Sequence, residues 1–298
     1  MKLGISVANF SWPTPVEQIG PTVARLARTA DAGGMDSFWT MDHFFQIEAT
    51  GEPPEAPLPE GYSTLTFIAG QTHHIRLGTL VTCPVYREPG VLVKIVTSLD
   101  VLSGGRAIFG VGAGWYEAEA RGLGIPFPSL SERFERLEEV LQISRRMWDG
   151  DESPFEGAHY KMERPINSPN SLQRPHPPIL IGGGGERKTL RLVARYGDMC
   201  NLVDIPGVVP IEALVHKLDV LRSHCGEVGR DYDEIEKTTM TFLELSDDRS
   251  NDRSRFLSHL EELARFGIAN VILVRSGLWD DESVEFAASL VPDATAID

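Results

Sequence analysis

The feature that most constrains this chain is an alternation of short apolar runs with longer helical patterns, repeated eight times. The apolar runs predict strands over residues 3–7, 37–41, 75–81, 106–111, 178–181, 198–203, 236–245 and 270–274. Strands that are separated by helices pair in parallel, and a parallel sheet needs helices on its faces. Eight such units in 298 residues predict a (β/α)8 TIM barrel, with a doubly wound open sheet as the alternative.

Three further patterns describe how the predicted barrel is organised. Residues 151–177 contain five prolines and interrupt the alternation, so they are interpreted as an excursion from it. Ser129 and Glu132 form a capping-box pattern, which predicts the start of the helix before this excursion. Because no linker separates two compositional halves, a single domain is expected over residues 1–298.

The charge balance argues against two classes of partner. The chain carries 28 Lys and Arg residues against 43 Asp and Glu residues, a net charge of −15. This charge disfavours nucleic acid and anionic membrane surfaces as partners. The acidity is concentrated in residues 201–298, whereas residues 161–195 hold seven basic and two acidic side chains. An acidic protein with one basic segment is therefore expected.

The cysteine, histidine and apolar patterns predict a reduced cytoplasmic protein. Three cysteines without C-x-x-C spacing offer neither a disulfide framework nor a zinc site. The eight histidines match no metal-binding motif, so no metal is expected. The N-terminus has no secretory signal pattern, and no stretch approaches the roughly 20 apolar residues of a membrane helix.

In a barrel of this type the chemistry lies just after each strand, at the carboxyl end of the sheet. Asp42 and His43 follow the second predicted strand and are flanked by aromatic residues. An acid and an imidazole at this position can hold a ring or move a proton at neutral pH. A turn-capping Asp42 and a packed His43 are the structural alternative, and the junction position favours a functional role.

Glycines mark two further junctions. Gly110, Gly112 and Gly114 remove side chains from one face of the fourth strand, which indicates that something large lies against that face. Four consecutive glycines, residues 182–185, lie between the fifth strand and its helix. Their amides and the positive end of the helix predict a phosphate site, with a flexible turn as the alternative. The loop is not a P-loop, because Arg187 occupies a required glycine position.

Taken together, these junctions resemble the luciferase-like monooxygenase superfamily, specifically its branch that uses the deazaflavin coenzyme F420. The resemblance spans nearly the whole chain and rests on five segments in order, residues 37–44, 75–79, 103–106, 110–115 and 182–185. It implies a (β/α)8 barrel with an insertion after the fourth helix, which would be residues 151–177. It also implies a small-molecule substrate and a homodimer.

The resemblance further implies a set of cofactor-binding residues at the barrel mouth. A non-prolyl cis peptide would join Leu80 and Val81 in a bulge behind the ring. The implied contacts to the cofactor are Asp42, Leu80, Val81, Thr82, Gly112, Ala113, Gly114, Gly182, Gly183, Gly184, Gly185, Glu186 and Arg187. His43 is expected to be the catalytic proton-transfer group, with Asp42 orienting it or contacting the ring.

Two departures from the family pattern bear on the substrate. The deazaflavin-dependent sugar-phosphate dehydrogenases of the family carry a tryptophan shortly after the Asp-His pair and a glutamate directly after the Gly-x-Gly. This chain has Ile47 and Trp115 at those positions, which argues against sugar-phosphate oxidation. Glu117 and Glu119 are the candidates to replace the glutamate.

Three other functions stay open on the sequence. The first is an FMN-dependent monooxygenase of the same superfamily, which would use O2 and a reductase partner. The second is a cofactor-binding protein without catalysis. The third is an unrelated phosphate-binding barrel, such as an aldolase or an isomerase, although no lysine or carboxylate at a strand end supports its chemistry.

Overall fold

A computed structural model describes residues 1–297, apart from the side chain of Ala49. The strands are β1 Lys2–Val7, β2 Ser37–Thr40, β3 Arg76–Thr79, β4 Ala107–Val111, β5 Phe155–Glu156, β6 Lys161–Met162, β7 Ile179–Gly182, β8 Met199–Asp204, β9 Glu236–Phe242 and β10 Asn270–Val274. All of these except β5 and β6 form one closed parallel barrel, in which β10 pairs with β1. The predicted (β/α)8 fold is confirmed.

The helices cover the outside of the barrel. They are α1 Ile19–Ala32, α2 Gly61–Ala69, α3 Pro89–Ser103, α4 Glu117–Gly122, α5 Leu130–Trp148, α6 Thr189–Tyr196, α7 Ile211–Val228, α8 Arg249–Arg265, α9 Asp281–Ser289 and α10 Val291–Thr295. The excursion at residues 151–177 lies between α5 and β7, and it contains the antiparallel hairpin of β5 and β6. None of the helices within residues 1–297 is both long and apolar enough to cross a bilayer.

The predicted capping box at the start of α5 forms only in part. The Ser129 hydroxyl accepts a hydrogen bond from the Glu132 amide at 3.3 Å, as the pattern predicts. The Glu132 carboxylate, however, accepts two hydrogen bonds from Arg136, one turn further along the helix. The guanidinium is the stronger partner for the carboxylate, because it carries a full positive charge, whereas a backbone amide is neutral.

The interior of the barrel is filled below the mouth and closed at the amino-terminal end. Five buried side chains form its apolar centre, namely Trp39, Ile108, Leu180, Met199 and Ile272. At the amino-terminal end, Glu236 accepts hydrogen bonds from Lys2 at 2.8 Å and from Asn270 at 3.0 Å. The described interior below the mouth is therefore occupied by the protein's own side chains.

Two glycines in the barrel wall make room for the protein's own atoms. A Cβ on Gly78 would lie 2.6 Å from the Trp39 ring, so this glycine admits the indole rather than a ligand. A Cβ on Gly110 would lie 1.9 Å from the carbonyl oxygen of Thr79 on the neighbouring strand. No real Cβ approaches a backbone atom so closely, so the register of β3 against β4 requires glycine at 110.

Gly110→Ala should lower the free energy of unfolding by about 1–3 kcal/mol, because the added methyl group displaces a packed strand. Chemical denaturation followed by circular dichroism measures the change. Gly226→Ala is the matched control: Gly226 lies inside α7, where an added Cβ meets no atom within 4 Å. That substitution should stabilise the protein by about 0.5–1 kcal/mol. A Gly110→Ala protein as stable as the wild type would contradict this packing.

Candidate active site

The barrel order brings the candidate residues onto one half of the rim. Asp42 and His43 follow β2, Leu80 to Thr82 follow β3, Gly112 to Gly114 follow β4, and the glycine-rich loop starts at the end of β7. These four strands are consecutive neighbours in the barrel, although the excursion separates β4 from β7 in sequence. Four segments spread over about half of the chain therefore meet along one continuous edge.

Asp42 is buried and bound to an arginine that the sequence analysis did not identify. Arg87 donates to both carboxylate oxygens of Asp42, at 2.7 and 2.8 Å, and also donates to Glu60 at 2.7 Å. Burial raises the pKa of Asp42 to about 6, against the opposing attraction of Arg87. Both oxygens of Asp42 are engaged by Arg87, so Asp42 does not orient His43 in the structure; the alternative, that Asp42 contacts the cofactor ring, stays a prediction.

The residue that holds His43 is Glu119. One oxygen of the fully buried Glu119 carboxylate lies 3.2 Å from Nδ1 of His43. The other oxygen accepts hydrogen bonds from the Phe44 and Phe45 amides, at 2.5 and 2.8 Å. Burial raises the pKa of Glu119, but the hydrogen bonds from His43, Tyr86 and the Phe45 amide outweigh burial and leave the pKa below its ordinary value. Glu119 is therefore an ionised acceptor beside the imidazole.

Aromatic side chains enclose the His43 ring on its open side. Trp115 and Tyr116 stack on each other, with ring centroids 5.0 Å apart and an interplanar angle of 24°. The His43 ring meets both edge-on, at 5.6 and 5.8 Å. The Tyr86 hydroxyl is buried beside the Glu119 carboxylate, on which it acts as a hydrogen-bonding neighbour. The imidazole is thus held by a carboxylate on one side and by two rings on another.

A non-prolyl cis peptide joins Leu80 and Val81, as the resemblance implies. The Val81 side chain packs against two glycines on neighbouring strands: a Cβ on Gly112 would lie 2.7 Å from it, and one on Gly182 would lie 2.9 Å away. The large group against the glycine face of β4 is therefore Val81 itself. Thr82 then returns to the barrel ladder, where its carbonyl accepts from the Gly112 amide at 2.9 Å.

The glycine after Ala113 has a different role. Gly114 has a φ of +72°, a conformation that favours glycine, and an added Cβ there would lie 2.2 Å from the Cys83 sulfur. The chain therefore turns away from the barrel axis immediately after β4. This turn is what places Trp115 and Tyr116 over His43.

The loop after β7 presents a row of unsatisfied amides. Gly183 has a φ of +118° and donates to the Asn201 carbonyl at 3.1 Å. The next six amides, from Gly184 to Thr189, donate no hydrogen bond to any other part of the described chain. They lead into the amino-terminal end of α6, which carries partial positive charge. Free backbone donors beside a helix N-terminus are a donor set that suits a phosphate.

The basic segment extends from this loop along α6. Arg187 and Arg191 are exposed, and neither forms an ion pair with a described residue. Lys188 donates to Ser131, and Arg195 pairs with Glu138 on α5. Arg187 lies in the turn before α6 and Arg191 in the first turn of the helix, and both border one pocket together with Lys188 and Arg195.

The sequence analysis missed Arg87 and left the role of Glu119 open. Arg87 lies at the third strand-to-helix junction, two residues before Pro89 starts α3, so its position at the rim was an available signal. Its partner could not be inferred, because Asp42 is 45 residues away in sequence. In residues 1–297, no group of three or more His, Cys, Asp or Glu side chains is arranged to hold a metal ion.

Comparisons with known proteins agree with this architecture. The sequence model of the luciferase-like monooxygenase family matches residues 1–295. An F420-dependent glucose-6-phosphate dehydrogenase of Nakamurella multipartita is 31% identical over 251 residues, which are 83% of this chain and 69% of that protein. A protein of the same name from Kineococcus radiotolerans is 30% identical over 194 residues, which are 64% of this chain and 55% of that one.

Solved structures share the fold. The monooxygenase RslO1 of Streptomyces bottropensis superposes with a TM-score of 0.82 at 21% identity, over 99% of both chains. An F420-dependent secondary alcohol dehydrogenase in complex with an F420–acetone adduct superposes with a TM-score of 0.81 at 16% identity, over 98% of both chains. With a family match along nearly the whole sequence and the barrel that the family predicts, this chain belongs to the luciferase-like monooxygenase family.

Proposed function

We propose that the protein is an oxidoreductase that binds coenzyme F420 and exchanges a hydride with a small organic substrate at the barrel mouth. The observation that carries the proposal is the adjacency, along one rim, of free phosphate-binding amides, the Val81 bulge and the His43–Glu119 pair. The names of the two dehydrogenase relatives support the choice of cofactor. The His43–Glu119 pair favours an enzyme over a cofactor-binding protein without catalysis.

The residues present fit this cofactor. Its phosphate would take the amides of the loop at residues 182–187 and the first turn of α6. Its ring would lie against Leu80, Val81 and Thr82, near Asp42 and the segment from Gly112 to Gly114. When bound, the deazaflavin supplies a ring carbon that accepts or donates a hydride. The task of the protein is then to align the substrate, exclude water and move one proton, for which His43 is the proposed group.

The unpaired arginines favour F420 over FMN. FMN ends at its phosphate, whereas F420 continues into an acidic lactyl-glutamyl tail that needs room and positive charge. Arg187 and Arg191 lie directly beyond the proposed phosphate loop and carry no ion pair with a described residue. We infer that they attract the tail, so that an acidic protein retains one basic entrance for an anionic cofactor.

The departures at Ile47 and Trp115 bear on the substrate. Where the sugar-phosphate dehydrogenases carry a glutamate, this chain exposes Trp115, and the nearby Glu119 is buried on His43. An exposed indole at the mouth suits an apolar substrate better than a phosphorylated sugar. We therefore propose an uncharged alcohol or carbonyl compound as the substrate class.

Fluorescence quenching tests the choice of cofactor. The wild type should bind F420 with micromolar affinity and FMN at least about tenfold more weakly. Because exposed ion pairs contribute about 0.2–1 kcal/mol each, Arg187→Gln with Arg191→Gln should weaken F420 binding about 2- to 30-fold and leave FMN binding unchanged. Arg25→Gln with Arg28→Gln on α1, far from the loop, is the matched control. Tight binding of FMN alone would overturn the proposed cofactor.

The role of His43 is tested by turnover. A panel of secondary alcohols and carbonyl compounds, followed by the absorbance of F420, identifies a substrate for the wild type. With that substrate, His43→Ala should reduce turnover by about 10²- to 10⁴-fold, the usual range for a lost proton-transfer group. The Kd for F420 should change less than threefold. His74→Ala, in the loop between α2 and β3, is the control, and undiminished turnover of His43→Ala would refute the assignment.

We propose that the protein forms a homodimer through α2 and α3. Phe67 on α2, Val91 and Leu102 on α3, and Ile166 in the excursion are 45–66% exposed. A groove of about 910 Å³ lies between these two helices and is bordered by three of the four side chains. Large apolar side chains that cluster on one face are typical of a protein interface. A second copy of the chain is the proposed occupant.

Charge on this face should separate the protomers. Val91→Glu with Leu102→Glu would place two carboxylates in an apolar interface, so the protein should elute as a monomer in size-exclusion chromatography with light scattering. Val16→Glu, an equally exposed apolar position three residues before α1, should leave the mass unchanged. A wild-type protein that is monomeric at micromolar concentration would contradict the dimer.

A further inference from the structure

We infer that Glu119 is a positioning residue that sets the tautomer of His43, so that Nδ1 carries the proton and Nε2 is free to accept one. The inference rests on the proposed function, because it concerns the group that moves the proton there. Glu119 is not at the position of the glutamate in the sugar-phosphate dehydrogenases of the family. It lies on α4, four residues beyond Trp115, which takes that position in this chain.

The hydrogen bonds of Glu119 determine the direction of its bond to His43. An ionised carboxylate only accepts hydrogen bonds, and the pKa of Glu119 is low enough to keep it ionised at neutral pH. One oxygen is taken by the Phe44 and Phe45 amides. The other lies 3.2 Å from Nδ1, so the neutral imidazole donates Nδ1–H to it. The second ring nitrogen, Nε2, is then an acceptor.

The surroundings of His43 hold the ring in this orientation. The stacked Trp115 and Tyr116 rings meet the imidazole edge-on, which restricts its rotation. Asp42, the neighbouring carboxylate, is neutralised by Arg87 and does not compete for the imidazole. The titratable or charged side chains packed around the site are Asp42, Glu60, Tyr62, Cys83, Tyr86, Arg87, Tyr116 and Glu119. Of these, only Glu119 hydrogen-bonds to a ring nitrogen of His43.

This tautomer suits oxidation of an alcohol. The substrate O–H proton would pass to Nε2 of His43 as the C–H bond breaks and the C=O bond forms, and a bound deazaflavin would supply the acceptor for the hydride. His43 becomes an imidazolium whose Nδ1–H remains on the Glu119 carboxylate, which stabilises the new charge. Carbonyl reduction is the reverse, with the proton returned from Nε2.

A purely structural role for Glu119 is the rival explanation, because the carboxylate also holds the turn at residues 44–45. Glu119→Gln separates the two roles. The amide oxygen can still accept from the Phe44 and Phe45 amides, but the amide NH2 then faces Nδ1 and donates to it. The imidazole must turn to the opposite tautomer, with Nδ1 as the acceptor and the proton on Nε2. The turn at residues 44–45 would persist, whereas Nε2 of His43 could no longer accept a proton.

The test is a long-range 1H–15N spectrum of the full-length protein with 15N-labelled histidine, recorded without cofactor at pH 8. The His43 resonances are assigned from their absence in His43→Gln. The wild type should show the tautomer protonated at Nδ1, and Glu119→Gln should show the tautomer protonated at Nε2. Glu117→Gln, which removes an exposed carboxylate paired with Arg121, should change neither.

Kinetics provide the second readout. With the substrate identified above, Glu119→Gln should lower kcat by about 10²- to 10⁴-fold, while the Kd for F420 stays within threefold of the wild type.

If Glu119→Gln fails to fold, the wild-type spectrum alone decides, since a proton on Nε2 in the wild type would overturn the inference. An unchanged tautomer in Glu119→Gln would overturn it as well. Failure of the wild type to bind F420 would instead refute the proposed function and leave the tautomer result standing.

Discussion

The hydrogen-bonded ladder between β1 and β10 is the constraint from which the site follows. It joins the first and last strands of the chain, pairing residues 2–5 with residues 270–273, and so closes the sheet into a barrel. Closure leaves no free edge, and it places the carboxyl ends of all eight strands on one rim. The Lys2, Glu236 and Asn270 cluster closes the other end. Any chemistry inside the barrel is therefore confined to the mouth.

Glycines shape the barrel wall and the mouth, because the space that a side chain would fill at these positions is taken by other parts of the chain. Glycines at 78 and 110 let Trp39 and the Thr79 carbonyl occupy the wall, and glycines at 112 and 182 let Val81 lie across three strands. Each of these residues lacks a Cβ because another part of the chain occupies that space. The bulge after β3 is consequently held by steric fit on both sides, which makes it a rigid surface for the proposed cofactor.

Much of the fold and part of the site could be predicted from the sequence. The strands were predictable because each is a local apolar run between strong turn residues, and the eightfold repeat then indicates closure. The glycine-rich loop was predictable because its residues are contiguous. The partners of Asp42 and His43 were not, because Arg87 and Glu119 lie 45 and 76 residues away and α4 is only six residues long. A helix of one and a half turns shows no reliable period, so nothing local indicates which of its two glutamates points inward.

The two buried carboxylates near His43, Asp42 and Glu119, differ in the direction in which their surroundings shift the pKa. Asp42 has a pKa raised to about 6 by burial, and it stays charged at neutral pH with the help of the Arg87 ion pair. Glu119 has a lowered pKa, because backbone amides and the imidazole supply hydrogen bonds that Asp42 lacks. Environments that give two neighbouring carboxylates different pKa values commonly mark different functions. Here the lowered pKa of Glu119 favours the charged partner that the proposed imidazole base requires, whereas the charge of Asp42 depends on Arg87. Arg87 also binds Glu60 at the start of α2, so the electrostatics of the mouth depend on how α2 packs against the barrel.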